Sequence, residues 1–179
     1  MECFKAIKKK IYRNSNTYPL LADVGSGNGV PGLIWAICDE SLNVVLIEKS
    51  AKKIAFLNHT IGVLKLSQRV TTIWDNVNKI NTVQFDIITS RAYSDCLKFL
   101  KSTKSISKKN SIWMIMTTTS RSSSLTKEAL EKLSIEVNEI IYVKINNKKH
   151  KSQLVALQLV KLKALTQEEN LAVALIKVE

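Results

Sequence analysis

The sequence has little of what builds disulfide frameworks, metal sites or membrane spans. Its three cysteines, Cys3, Cys38 and Cys96, are scattered among 179 residues without metal-ligand spacing, which indicates reduced thiols in a cytoplasmic protein. The two histidines, His59 and His150, have no nearby nucleophile to activate. No apolar run approaches the roughly 18 residues that cross a bilayer, so we expect neither a signal peptide nor a membrane-spanning segment.

Acidic residues are also few, with 15 against 27 basic residues and a formal net charge of +12. Such a field attracts polyanions, so nucleic acid, an anionic membrane and plain solubility are all compatible with it. Two groups of lysines suit contacts with RNA phosphates. They are Lys98, Lys101, Lys104, Lys108 and Lys109 in one segment, and Lys148, Lys149 and Lys151 in another. A solvated helix face explains each group equally well, and both interpretations remain open.

Apolar runs of strand length alternate with helical patterns along the chain. The runs are Leu20–Val24, Asn43–Ile47, Val70–Trp74, Phe85–Thr89 and Ile112–Met116. Two further runs, residues 139–145 and 154–162, flank a turn-rich segment and predict an antiparallel hairpin. Strands that alternate with helices indicate the α/β class, with an open, doubly wound, mostly parallel sheet and helices on both faces.

Helical spacing marks the segments that follow the first two strands. The first predicted helix would bury Leu33, Ile34, Ala36 and Ile37. The second would bury Ile54, Leu57, Ile61 and Leu64.

The pattern divides the chain into a basic N-terminal segment (residues 1–19), a main domain (20–165) and a C-terminal tail (166–179). Within the first segment Phe4, Ile7 and Ile11 predict a short amphipathic helix.

Four of the five glycines lie between residues 25 and 32, directly after the first predicted strand. In an open α/β sheet a ligand binds where such a strand turns into its helix. Gly25 and Gly27 would let the ligand approach the backbone closely and would permit a positive φ. Asp23 brings a carboxylate near the loop, which favours the ammonium of a methionyl group and disfavours a pyrophosphate. We therefore expect Asp23, Gly25 and Gly27 to bind a cofactor.

Glu48 follows the second predicted strand, 21 residues beyond Gly27. A carboxylate at this place can accept hydrogen bonds from both ribose hydroxyls of a nucleoside. The glycine pattern from Gly27 to Gly32 also has the spacing of the dinucleotide motif G-x-G-x-x-G, so a nicotinamide-dependent oxidoreductase stays an alternative. The combination predicts a nucleoside-containing cofactor.

Three motifs together resemble one protein family. Asp23–Gly32 reads Asp-Val-Gly-Ser-Gly-Asn-Gly-Val-Pro-Gly, Leu46–Ser50 is followed by Lys53–Leu57, and Phe85–Tyr93 reads Phe-Asp-Ile-Ile-Thr-Ser-Arg-Ala-Tyr. In order and spacing they are similar to the bacterial 16S ribosomal RNA guanine-N7 methyltransferase family, also called glucose-inhibited division protein B. The likeness covers roughly residues 20–160.

The resemblance implies a Rossmann-like methyltransferase fold, S-adenosyl-L-methionine as cofactor, and methylation of a guanine N7. By that resemblance Gly25 and Val30 would touch the cofactor, Val77 and Asn78 would flank its adenine, and Arg91 would close the pocket. The implied partner is 16S rRNA or the small ribosomal subunit. We expect no membrane partner, a cytoplasmic location and a monomer, and we assign no catalytic residue.

For two residues, Arg91 and Asp75, the sequence suggests roles independently of the resemblance. Arg91 lies at the end of a buried strand, where its guanidinium can meet a methionyl carboxylate or an RNA phosphate, or can instead pair with Asp86 or Asp95 to hold the fold. Asp75 is a second candidate for the adenine amino group, or else a helix N-cap.

The chain departs from the family at two places. The family has a longer N-terminal helical segment, whereas about 19 residues precede the first predicted strand here, so we expect a shortened N-terminus. The family also places a lysine and a glycine after the fifth strand, where this chain has Thr117. These departures keep a second hypothesis open, a catalytically inert RNA- or ribosome-binding protein.

Overall fold

The computed structural model describes residues 18–91, 93, 95–147 and 150–162. Seven strands form one sheet: β1 (Leu20–Val24), β2 (Asn43–Glu48), β3 (Val70–Trp74), β4 (Phe85–Arg91), β5 (Ser107–Thr118), β6 (Ile135–Asn147) and β7 (His150–Leu162). Their order across the sheet is β3-β2-β1-β4-β5-β7-β6. Strands β1 to β5 run parallel, and β7 is antiparallel to both β5 and β6. The predicted mostly parallel sheet with a terminal antiparallel hairpin is confirmed.

Four helices cover the two faces of this sheet: α1 (Gly32–Cys38), α2 (Ala51–Val63), α3 (Cys96–Thr103) and α4 (Lys127–Glu131). Helices α1 and α2 pack with Leu21, Leu46 and Ile87 in one core. Helices α3 and α4 pack with Ala22 and Ile88 in the other. Neighbouring residues of one strand thus enter opposite cores, because side chains alternate across a strand. In β2 the stretch Val44–Ile47 is apolar throughout because both of its faces are covered.

The buried side of α1 differs from the prediction. Leu33 and Ala36 are buried as expected, but Ile34 and Ile37 are 40% and 47% exposed, and Trp35 is buried in their place. The helix starts at Gly32, so positions 32, 35 and 36 share the inward side, and the indole of Trp35 fills the space there. The prediction for Ile34 and Ile37 was wrong.

The end of α2 also differs from the prediction. Leu64 is 42% exposed, whereas Ile54, Leu57 and Ile61 are buried. The helix ends at Val63, and Lys65 adopts a positive φ of 55°, so the chain turns away before Leu64 can join the buried stripe.

The indole N–H of Trp113 depends on a single hydroxyl group. Nε1 of this fully buried residue donates to Oγ1 of Thr103 at 2.8 Å. We expect Thr103→Val, which keeps the shape, to lower the free energy of unfolding by about 1–2 kcal/mol, because it strands the indole N–H. Urea denaturation measures this effect. Ser102→Ala on the same helix is the control, and an equal loss in both variants would contradict the assignment.

Among the described residues, no helix is long and apolar enough to cross a membrane. The predicted helix at Phe4, Ile7 and Ile11, the tail at 166–179, and Lys148 and Lys149 lie outside the described residues. The domain boundaries at residues 19 and 165 stay predictions.

Candidate functional site

The glycine loop between β1 and α1 lies at the carboxyl edge of the sheet. Gly25, Gly27 and Gly29 all have positive φ angles, of 72°, 60° and 83°. The loop is tied to β2, since the Gly25 N–H donates to the Ile47 carbonyl at 2.8 Å. A Cβ on Gly25 would meet nothing within 4 Å, whereas one on Gly29 would lie 2.8 Å from Cβ of Leu33. The loop therefore leaves open space at Gly25 and packs tightly against α1 at Gly29.

Glu48 joins this loop to the loop that follows β2. Its Oε2 accepts from the Gly27 N–H at 3.0 Å, and its Oε1 accepts from the N–H groups of Lys49 and Ser50 at 2.9 and 3.0 Å. A carboxylate oxygen can accept two hydrogen bonds, so Oε2 keeps one acceptor position for a ligand hydroxyl. The side chain is 6% exposed and held on three sides, which fixes its orientation.

Asp23 lies beneath the loop with no exposed surface. Its Oδ2 accepts from the Gly32 N–H at 2.9 Å, and its Oδ1 has no hydrogen-bond partner among the described residues. Burial raises the pKa of Asp23 from 3.8 to about 7, against smaller lowering effects from the Gly32 N–H and the charge of Arg91. The unpartnered Oδ1 suits an incoming cation, although contact with a ligand ammonium stays a prediction.

Arg91 ends β4 at the same edge and is exposed. The two acids proposed as its structural partners are engaged elsewhere. Asp86 forms an ion pair with Lys108 at 2.9 Å, and Asp95 accepts from the Lys98 N–H at the start of α3 at 2.7 Å. In the part of the chain that the structure describes, neither acid therefore pairs with Arg91, and contact of its guanidinium with a ligand stays a prediction. The preceding Ser90 ties β4 to β1, since its Oγ donates to the Val24 carbonyl at 2.8 Å.

The loop after β3 completes this edge with a short 3₁₀ turn over Val77–Lys79. Val77 is buried in the core and supports the turn, whereas Asn78 is exposed. Asn76 caps the turn by accepting from the Asn78 N–H at 3.1 Å. Asp75 accepts from the Asn76 N–H at 2.6 Å instead, so its alternative reading as the N-cap was wrong.

Two residues near the loop had no role in the expected site. Nζ of Lys53, in the first turn of α2, lies 3.9 Å from the position a Cβ on Gly27 would take. Trp74, at the end of β3, pairs in register with Glu48 and is 64% exposed. Neither residue lies next to the glycine loop in the sequence, so only the fold marks these two as neighbours of the loop.

Within the site, hydrogen bonds connect Gly25, Gly27 and Glu48 through β2, and Asp23 to Gly32 below them. Val30 belongs to the same loop, since its N–H donates to the Ser26 carbonyl at 3.3 Å. The strand order differs from that of dinucleotide-binding sheets. Those sheets have the order 3-2-1-4-5-6, whereas here the antiparallel β7 lies between β5 and β6, which disfavours a dinucleotide-binding fold.

The model of the family described as rRNA small subunit methyltransferase G matches residues 4–171. The chain belongs to this family. Ribosomal RNA small subunit methyltransferase G from Aliarcobacter butzleri is 34% identical over 137 residues, which cover 76% of this chain and 65% of the relative. The protein of that name from Acinetobacter baylyi is 42% identical over 84 residues, covering 45% of this chain and 39% of the relative. The chain thus spans less than two thirds of these curated relatives.

Solved structures share the fold of this rRNA small subunit methyltransferase G family member at low sequence identity. The precorrin-6y C5,15-methyltransferase from Geobacter metallireducens has a TM-score of 0.65 and 12% identity, covering 89% of this chain and 87% of that one. The M. jannaschii protein TYW2 in complex with AdoMet has a TM-score of 0.65 and 18% identity, covering 92% and 78%. These likenesses confirm the methyltransferase-like fold.

Proposed function

We propose that this chain binds S-adenosyl-L-methionine at the glycine loop and methylates N7 of a guanine in 16S rRNA. The observation that carries the proposal is the Glu48 carboxylate, fixed by backbone N–H groups beside a loop that is open at Gly25. Family membership supports the class of reaction, and the net charge of +12 supports a polyanionic partner. The proposed partner is 16S rRNA or the small ribosomal subunit, met in the cytoplasm by a monomer.

The residues at the carboxyl edge fit the parts of this cofactor. Glu48 would accept from a ribose hydroxyl at the free acceptor position of Oε2, and the open space at Gly25, next to Gly27, would admit the chain of the methionyl group. The guanidinium of Arg91 would meet the methionyl carboxylate, and the orphaned Oδ1 of Asp23 would offset the ammonium from below. Val77 and Asn78 would flank the adenine, and Val30 would line the loop.

When bound, S-adenosyl-L-methionine supplies a methyl group on a positively charged sulfur. Guanine N7 carries an in-plane lone pair and no proton, so its attack needs alignment more than a general base. The residues assigned to this edge can align the cofactor, because they offer hydrogen-bond acceptors, hydrogen-bond donors and a loop with open space at Gly25. The one histidine whose side chain the structure describes, His59, is an exposed residue of α2.

Calorimetry with S-adenosylhomocysteine tests the site. We expect Glu48→Ala to weaken binding at least about 10-fold, because it removes a charged hydrogen-bond acceptor. Asp39→Ala is the control, since Asp39 caps a turn by accepting from the Ser41 N–H at 3.0 Å after the end of α1. Its affinity should match that of the original chain.

A 2′,3′-dideoxy analogue of the ligand separates ribose binding from mere support of the loop. If Glu48 contacts the ribose, the affinity lost through Glu48→Ala and the affinity lost through the missing hydroxyls are the same. Glu48→Ala then binds S-adenosylhomocysteine and its dideoxy analogue equally. Fully additive losses would mean that Glu48 only holds the loop.

Methyl transfer to purified small subunits separates the enzyme from an inert RNA-binding protein. Label on a guanine N7 of the RNA supports the proposal. Ligand binding without any transfer would favour the inert alternative, and tighter binding of NAD than of S-adenosylhomocysteine would favour an oxidoreductase.

A further inference from the structure

Trp74 is unlike the other two tryptophans of the chain. Trp35 and Trp113 are 2% and 0% exposed and belong to the two cores, whereas Trp74 is 64% exposed. Its polar edge is nevertheless satisfied, because Nε1 donates to the Lys49 carbonyl at 3.1 Å. The hydrogen bond holds the indole in one orientation while its ring surface faces solvent. A large aromatic ring that is fixed and exposed is a preformed stacking surface.

The ring stands at the same sheet edge as the proposed cofactor loop. Trp74 and Glu48 are partners in the register of β3 and β2, so their side chains leave the same face of the sheet. Farther back along β3, Thr72 donates to Asn58 of α2 at 2.8 Å. Because α2 runs back along this face, Trp74 lies near the first turn of that helix.

The segment whose backbone accepts from Trp74 carries three lysines. Lys49, Lys52 and Lys53 are exposed, and the first turn of α2 carries no acidic residue. None of the three lysines forms an ion pair within the described ranges. The nearby acids repel an approaching anion only weakly. Glu48 is buried and its carboxylate accepts from three N–H groups, and Asp75 is half-buried and accepts from the Asn76 N–H.

We propose that Trp74 with Lys49, Lys52 and Lys53, here called the Trp74 platform, binds single-stranded RNA by stacking one unpaired base on the indole. The lysines supply phosphate contacts, and the ring supplies a base contact that tolerates any sequence. The inference rests on the proposed RNA-modifying function and adds a contact for the RNA beside the reacting site.

Tryptophan fluorescence reads this contact directly, because Trp74 is the one tryptophan that solvent reaches. The probe is a single-stranded RNA of about twelve nucleotides, matched with an abasic strand that keeps the phosphates and lacks the bases. We expect the RNA to quench the fluorescence and the abasic strand to quench it weakly. Trp74→Ala should bind the RNA about 10-fold more weakly, and Trp74→Phe should restore most of the affinity.

The controls separate stacking from charge and from folding. Val63→Ala, at the far end of α2 and 66% exposed in the original chain, should bind the RNA unchanged. Lys52→Gln should weaken binding of the RNA and of the abasic strand to the same extent, and it should reduce the salt dependence of the affinity. Equal RNA affinities for Trp74→Ala and the original chain would overturn the platform.

S-adenosylhomocysteine distinguishes a failure of the platform from a failure of the proposed function. The expected result is that Trp74→Ala keeps its affinity for this ligand. If S-adenosylhomocysteine alone quenches the fluorescence of Trp74, and Trp74→Ala lowers the affinity for this compound, the residue belongs to the cofactor pocket and the platform is wrong. If the original chain does not bind the ligand but RNA still quenches Trp74, the platform stands and the proposed function fails.

Discussion

Gly32→Ala is expected to destabilise the fold by about 3 kcal/mol, the upper end of the usual range for overpacking a core. A Cβ at this position would lie 2.7 Å from Cβ and 2.8 Å from Oδ2 of Asp23, and 2.9 Å from Cδ2 of Leu46. None of these atoms can yield cheaply, because Asp23 and Leu46 are wholly buried in neighbouring strands. The strain also threatens the hydrogen bond from the Gly32 N–H to Asp23, which holds the start of α1 under the loop.

Gly62→Ala is the matched control for this substitution. Gly62 lies in α2, has an ordinary helical backbone, and a Cβ there would meet nothing within 4 Å. We expect this variant to gain about 0.5–1 kcal/mol, because alanine favours the helix. Urea denaturation of both variants measures the contrast. A Gly32→Ala protein as stable as the original would contradict the tight packing of α1 against Asp23.

The stability of the original chain should fall by about 2–3 kcal/mol more than that of Asp23→Asn between pH 5 and pH 8. Burial raises the pKa of Asp23 to about 7, whereas the unfolded chain ionises this carboxyl near its ordinary value of 3.8. Between these values the folded protein holds a proton that the unfolded chain has released. The contribution of the group is therefore fully present below pH 3.8 and is lost as the pH rises toward 7.

Comparison with the asparagine variant removes the other titrating groups from the measurement. Asparagine keeps an oxygen for the Gly32 N–H and cannot ionise, so the two proteins should differ most at pH 8, where the variant is the more stable. Denaturation at the two pH values gives the difference. Parallel pH dependences would mean that Asp23 is ionised in the folded protein at pH 5.

The same carboxylate connects stability with the proposed binding of a cofactor. An ionised Asp23 is costly in the empty fold and becomes useful when an ammonium arrives near its unpartnered Oδ1. We therefore expect Asp23→Asn to be more stable at pH 8 and weaker in binding S-adenosylhomocysteine. A more stable variant with unchanged affinity would confine Asp23 to packing.

Much of the fold follows from local pattern. Strands β1 and β3 have the predicted bounds, because a short run of mainly apolar or β-branched residues between turn residues leaves few alternatives. The hairpin of β6 and β7 follows from two apolar runs around a turn-rich segment. The buried side of α1 could not be predicted in the same way, since the choice of Trp35 over Ile34 depends on the space that the sheet leaves.

The glycines, Glu48 and Arg91 could be placed at one edge from the sequence alone, because in a parallel sheet the loops that follow successive strands meet at the carboxyl end. The burial and the contacts of each side chain at that edge could not be predicted from the sequence. Burial of Asp23, exposure of Trp74 and the approach of Lys53 to Gly27 depend on atoms from other segments of the chain. The sequence by itself determined the order of the elements and the residue types at the ligand edge, because these follow from short-range periodicity and strand topology. Only the tertiary structure decided which groups are dry, paired or open to a ligand, because dielectric environment and free space arise from packing between distant segments.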